Sequence, residues 1–130
     1  MSEREAISTD RAASAVGPYS QGMRAGDLVF TAGQIGIDPS SGELVSDEVA
    51  AQAQRALENV AAILEAAGSG LDRLVKVTVF LEEIADWPAV NEVYGRVVPT
   101  PYPARSAFAV KALPKGALVE IEAIATVRSG

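Results

Sequence analysis

Residues 46–81 read SDEVAAQAQRALENVAAILEAAGSGLDRLVKVTVFL, a helix pattern followed by a strand pattern. Ser46 is a good N-cap, and Asp47 and Glu48 then fall in the first turn, where negative charge is favoured. Ala53, Leu57, Val60, Leu64 and Ala67 recur at helical spacing, and Gly68-Ser69-Gly70 stops the helix. The stripe is rich in Ala, which predicts close packing on a sheet. Val75, Val77, Val79 and Leu81 alternate with Lys76, Thr78 and Phe80, so this run is a strand by period and by propensity.

Upstream of this stretch, Gly17-Pro18 signals a turn. Leu28 to Ile35 reads as a strand and Asp38-Pro39-Ser40-Ser41-Gly42 as a loop. Downstream, a second helix is expected from about Ile84 to Val97. Pro99, Pro101 and Pro103 exclude regular structure before Arg105. Ser106 to Val110 reads as a strand, Leu113-Pro114-Lys115-Gly116 as a turn, and Leu118 to Val127 as the last strand. The order is strands, helix, strand, helix and strands, and residues 1–130 read as one domain. Two helices cover only one face of such a sheet. Thr78 and Phe80 oppose the valines of their strand, and Leu118 to Val127 is apolar on much of both faces. The uncovered face predicts oligomerisation, because a bare apolar sheet face aggregates.

The chain has 130 residues, of which 48% are hydrophobic and 22% charged, so a sizeable core is available. Eleven basic and seventeen acidic residues give a net charge of −6, which repels polyanions and argues against a nucleic-acid partner. There is no Cys, which excludes disulfides, thiolate nucleophiles and zinc-thiolate sites. There is no His either, which excludes Ser-His-Asp triads, Cys-His dyads and most zinc sites. Proton transfer is left to Asp, Glu, Tyr, Lys or a water they hold. The charged N-terminus has no apolar signal-peptide core, and no apolar run is long enough for a membrane span. A soluble cytoplasmic protein is expected.

Few residues remain for chemistry. Arg105, between a Pro-rich bend and an apolar strand, suits bidentate capture of a carboxylate, or equally a salt bridge at a subunit contact. Glu120 and Glu122 share one face of the last strand. A carboxylate in an apolar strand is costly to bury; Glu120 either deprotonates a water or simply pairs with a cation. Tyr19 offers a pocket wall with one hydroxyl, or mere packing. Asn91 is a polar pocket floor or an exposed helix residue. Lys76 has the chemistry for a Schiff base but suits a solvent-seeking strand lysine better. Gly33 allows a ligand close to the backbone, or marks a bulge.

Several motifs resemble, in order, those of the RidA (YjgF, reactive-imine deaminase) family. They are Gly17-Pro18-Tyr19-Ser20-Gln21, Thr31-Ala32-Gly33-Gln34-Ile35, Asp38-Pro39 with Gly42-Glu43, Ile63 to Gly68, Val75 to Leu81, Val90 to Tyr94, Pro103-Ala104-Arg105-Ser106, Leu113 to Gly116 and Val119 to Ala125. The resemblance implies a chorismate-mutase-like α+β fold, a mixed sheet with two helices on one face. It implies a homotrimer with active sites in clefts between subunits. The implied reaction is hydrolysis of 2-iminobutanoate and 2-iminopropanoate to 2-keto acids and ammonia, without metal or organic cofactor. Arg105 matches the arginine that grips the substrate carboxylate and Glu120 the glutamate that holds the attacking water. Tyr19 and Asn91 match pocket positions, and Gly33 and Ala107 match backbone contacts.

Two positions depart from the family pattern. Ala32 stands where many members carry Ser, and Ala107 where many carry Cys. A backbone contact at Ala107 survives that change, whereas thiol chemistry does not. Two alternatives stand beside the deaminase: an endoribonuclease, which the charge and the absent His oppose, and a non-catalytic carboxylate-binding or chaperone-like protein.

Overall fold

The alternating run after Gly70 becomes an interior strand of the main sheet. The computed structural model describes residues 3–128. Along the chain run β1 (Arg4–Ile7), β2 (Gly22–Ala25), β3 (Leu28–Thr31), β4 (Ile37–Asp38), β5 (Glu43–Leu44), α1 (Val49–Ala66), β6 (Leu74–Leu81), α2 (Trp87–Val97), β7 (Ala104–Ala109) and β8 (Val119–Thr126). Six strands form one sheet in the order β1-β2-β3-β8-β6-β7, and β4 and β5 pair separately. Only β6 and β7 are parallel. A parallel pair needs a crossover, and α2 supplies it. The expected α+β architecture with a mixed sheet is therefore the one observed.

The strand periodicity decides which face meets the helices. In β8, Val119, Ile121, Ala123 and Ala125 are buried, while Glu120, Glu122, Ile124 and Thr126 are half-buried on the opposite face. From α1, Ala53, Ala56, Leu57, Val60, Ile63 and Leu64 enter the core, and α2 adds Val90, Val93 and Tyr94. The Ala side chains let α1 lie close to the sheet. The other face has no helix. On it Phe80 and Phe108 meet edge to face at 5.4 Å, and Leu28, Phe30 and Phe108 are exposed. Lys76, on this open face, donates to Ser106 Oγ at 3.0 Å.

Some boundaries differ from the sequence reading. The first helix begins at Val49, so Asp47 and Glu48 precede its first turn and Ser46 is not its cap. Ser46 Oγ instead accepts the Glu48 N–H at 3.0 Å, and the Gln52 side chain donates to the Ser46 carbonyl at 2.8 Å. Together these bonds hold the segment as a turn. Val75 does not share the buried face of Val77. A bulge between Leu74 and Lys76 adds one residue to the ladder, and Val75 is exposed. The strand expected over residues 28–35 stops at Thr31; after Gly33, only Gln34 pairs again, with Ile121. Ile84–Asp86 is a separate 3-10 turn ahead of α2, whose first turn carries Pro88. Strands β1 and β2 were not expected at all. Among the described residues no helix is long and apolar enough to cross a membrane.

Candidate functional site

The sheet register sends Arg105 and Glu120 to different places. Arg105 pairs with Val77 across β6, and Glu120 pairs with Phe80. Strand β6 lies between their strands, so in one chain the two residues are about 10 Å apart along the sheet and about 10 Å across it. Arg105 points to the helix side with Val77, and Glu120 to the open side with Phe80. The strand between them keeps the two residues apart within one chain.

Arg105 sits in a cluster built by α2. Its guanidinium donates from Nη1 to Asn91 Oδ1 at 2.8 Å. Its Cζ lies 4.6 Å from the Trp87 ring centroid and 4.7 Å from that of Tyr94, both within cation–π range. Trp87, Asn91 and Tyr94 are spaced by four and three, so one helix face presents all three. Burial raises the Tyr94 hydroxyl above its ordinary pKa, and the nearby Arg105 charge opposes that rise. The remaining guanidinium N–H groups border a cleft shared with Gly95, Tyr102 and Pro103. The Val110 N–H bonds Leu81 O at 2.8 Å. Backbone groups on a strand alternate sides, so those of Arg105 and Ala107 turn away from β6 along the sheet edge.

Glu120 belongs to a second cluster, at the edge of a cavity of about 240 Å³ with Tyr19, Gly33, Gln34 and Lys115. The Gln34 N–H and C=O both pair with Ile121, at 2.8 and 2.9 Å. This bridge lays the backbone of Gly33 against the Glu120 side chain. A Cβ on Gly33 would run into the Glu120 carboxylate and push it from this position, so the glycine lets the carboxylate lie against the backbone. Burial, and secondarily the Glu122 charge, raise the Glu120 pKa above the ordinary 4.5. Tyr19 is 51% exposed at the rim, held by the turn in which its N–H bonds Gly17 O at 2.8 Å.

The structure thus groups Arg105 with Asn91, and Glu120 with Tyr19 and Gly33. Lys76 belongs to neither cluster. Trp87 and Tyr94, which flank Arg105, were missed; their helical spacing from Asn91 was the available signal. Lys115 was read only as a turn residue. It has a left-handed backbone, φ 58°, which is uncommon for a non-glycine residue, and it reaches the cavity that holds Glu120. Among the described residues no group of His, Cys, Asp and Glu could hold a metal ion.

Comparison with known proteins agrees with this frame. The family model described as endoribonuclease L-PSP matches residues 9–127. The RutC family protein y4sK of Sinorhizobium fredii is 52% identical over 120 residues, which cover 92% of this chain and 95% of the relative. The human 2-iminobutanoate/2-iminopropanoate deaminase is 49% identical over 122 residues, 94% of this chain and 89% of the relative. Among solved structures, E. coli TdcF with bound serine superimposes with a TM-score of 0.90 at 45% identity, covering 96% of this chain and 99% of that one. With motifs, sheet order and near full-length identity in agreement, the chain belongs to the RidA (YjgF) family, described as endoribonuclease L-PSP.

Proposed function

We propose that the protein hydrolyses 2-imino acids such as 2-iminobutanoate and 2-iminopropanoate to 2-keto acids and ammonia. The working site is a cleft between two subunits of a homotrimer, where the Arg105 cluster of one copy faces the Glu120 cavity of the next. The observation that carries this reading is Glu120: a half-buried carboxylate of raised pKa, packed against the Gly33 backbone at the edge of a cavity. The name of the human relative and the small amino acid bound to TdcF support the substrate class. The separation of Arg105 from Glu120 within one chain, and the open sheet face, support a shared site.

The chemistry needs no strong nucleophile. The carbon of a protonated imine is already electrophilic, so orientation supplies much of the rate. Arg105 takes the substrate carboxylate through the N–H groups not used by Asn91, and the edge amide of Ala107 adds a backbone contact. The Gly33 backbone and the Tyr19 hydroxyl hold the imine end. Glu120 accepts a proton as water adds to C2 and the C=N pair moves onto nitrogen. It then returns that proton to the amino group of the carbinolamine. The C–N bond breaks as the hydroxyl becomes the carbonyl and gives up its proton, and the nitrogen leaves as ammonium. No cofactor or metal takes part in these steps.

The ribonuclease named in the family description finds less support, since the net charge of −6 opposes a polyanion and no His is present. The test is a coupled assay in which a serine or threonine dehydratase generates the imine. Wild-type protein is expected to accelerate keto-acid release, and Arg105→Ala to lower kcat/KM by about 100-fold or more, the loss of a charge-assisted bidentate bond. No acceleration, or an Arg105→Ala variant equal to wild type, would sink the reading.

A further inference from the structure

The cavity beside Glu120 is lined by two kinds of residue. Glu120, Tyr19 and Lys115 bring polar groups to it, and Ala13, Val16, Ile35, Ile37 and Pro39 bring apolar surface. The apolar lining comes from two segments of mostly irregular backbone, residues 13–16 and residues 35–39. Irregular backbone must still satisfy its polar groups, and here two side chains do much of it.

Gln21 is 4% exposed. Its Oε1 accepts the Thr9 N–H at 2.7 Å. Its Nε2 lies within bonding distance of the Thr9, Ala12 and Ala13 carbonyls, at 3.0, 3.3 and 2.7 Å. Asn59 is fully buried on α1. Its Nδ2 donates to Ile35 O at 3.3 Å and to Ile37 O at 2.9 Å. Its Oδ1 accepts from Arg55 Nε at 3.0 Å and Nη2 at 2.8 Å. Arg55 is held in turn by Glu58, at 3.2 Å. A buried amide with both ends engaged fixes its partners, because any shift leaves a polar group unpaired.

We propose that Gln21 and Asn59 are positioning residues that fix the apolar lining of the Glu120 cavity, and thereby which 2-imino acid side chain it accepts. This rests on the reading of that cavity as the hydrolytic site. Neither amide touches substrate. Each acts through the loop it ties down: Gln21 through Ala13, Asn59 through Ile35 and Ile37. The matching ligand is a 2-imino or 2-keto acid whose side chain is apolar and longer than that of the serine-derived imine, with its carboxylate on Arg105 of the neighbouring copy and its side chain against the apolar lining.

The test measures binding without turnover. Calorimetry is run on the assembled protein with 2-oxobutanoate and with 4-methyl-2-oxopentanoate, the stable products of a short and a branched imine. Asn59→Asp keeps the shape but removes both donors and sets a carboxylate against two carbonyls. It is expected to weaken the branched ligand about tenfold and the short one by less than about threefold, the scale on which an apolar pocket discriminates one or two methylenes. Arg55→Met, at a partly exposed position on α1, frees the Asn59 oxygen and is expected to move the ratio the same way by less. Gln21→Glu reports on the opposite wall and is expected to shift the ratio too. A merely structural role lowers both affinities by one common factor. That outcome overturns the proposal, as does an unchanged ratio in folded variants, or wild-type protein that binds neither keto acid. A shifted ratio with no imine turned over would remove the hydrolase reading alone and leave the two amides as the gauge of a binding cavity.

Discussion

Glu120 is the residue on which the chemistry turns. It must be ionised to take a proton from water, so the rate falls as pH drops through its pKa. Burial, then the Glu122 charge, place that pKa above 4.5. The acid limb of kcat/KM therefore lies at higher pH than that of an ordinary glutamate. Removing the second of the two causes, with Glu122→Gln, is expected to move the limb to lower pH while leaving the plateau within about threefold. A pH profile of both proteins reads this, and a limb that stays put or moves up would contradict it. The same shift has a stability consequence. Its folded pKa is raised, so the native state loses stability as pH rises from the unfolded value through the folded one, and above that window the penalty is complete. Replacing Glu120 with Gln removes the penalty, so this inactive variant should melt higher than wild type at neutral pH and not at pH 4. At this scale the sequence was informative about types and silent about neighbours. An acid within an apolar strand is visible as an anomaly, whereas the Glu120–Gly33 contact depends on the Gln34–Ile121 bridge between segments far apart in the chain.

At the scale of elements, the long patterns were readable and the short ones were not. The stripe from Ala53 to Leu64 and the alternation from Val77 to Leu81 each bury a continuous apolar face, so their periods survive in the sequence. Four-residue β1 and β2 bury too little to show a period, with Arg4, Glu5 and Ala6 exposed and only Ile7 of β1 in the core. They are strands because β3 offers β2 an edge and β2 in turn offers one to β1, a tertiary cause that local pattern does not carry. The bulge at Val75 and the delayed start of α1 are likewise set by partners, β8 in one case and buried Gln52 in the other. Gly36 records how tightly α1 meets the loop that walls the cavity. A Cβ there would lie 2.6 Å from Gln52 Cα and 2.7 Å from Gln52 O, both backbone atoms that cannot swing aside. Gly36→Ala is expected to cost about 1–3 kcal/mol in chemical denaturation, as overpacking does. A loss below about 0.5 kcal/mol, the range of ordinary surface substitutions, would mean that helix and loop part easily.

At the scale of the whole molecule, the sheet leaves one face bare and splits the candidate site between its two sides. The bare face was legible, because two helices cannot cover both sides of a sheet. The split was not, because the strand order that inserts β6 between β7 and β8 is invisible to local pattern. The proposed homotrimer would answer both features, with copies packing their open faces together and Arg105 of one meeting Glu120 of the next. Phe108 is 45% exposed on that face. Phe108→Glu is expected to release monomers of about 13.5 kDa, read by light scattering, and to abolish deaminase activity although neither Arg105 nor Glu120 is altered. The most direct test of the shared site mixes two inactive proteins, Arg105→Ala and Glu120→Gln, under conditions of demonstrated subunit exchange. In a cyclic trimer every mixed assembly contains one cleft with both residues intact, so random mixing at equal amounts restores about a quarter of the wild-type sites. Recovery near that fraction is the predicted result; activity that stays at the sum of the two parents would contradict a site built from two copies.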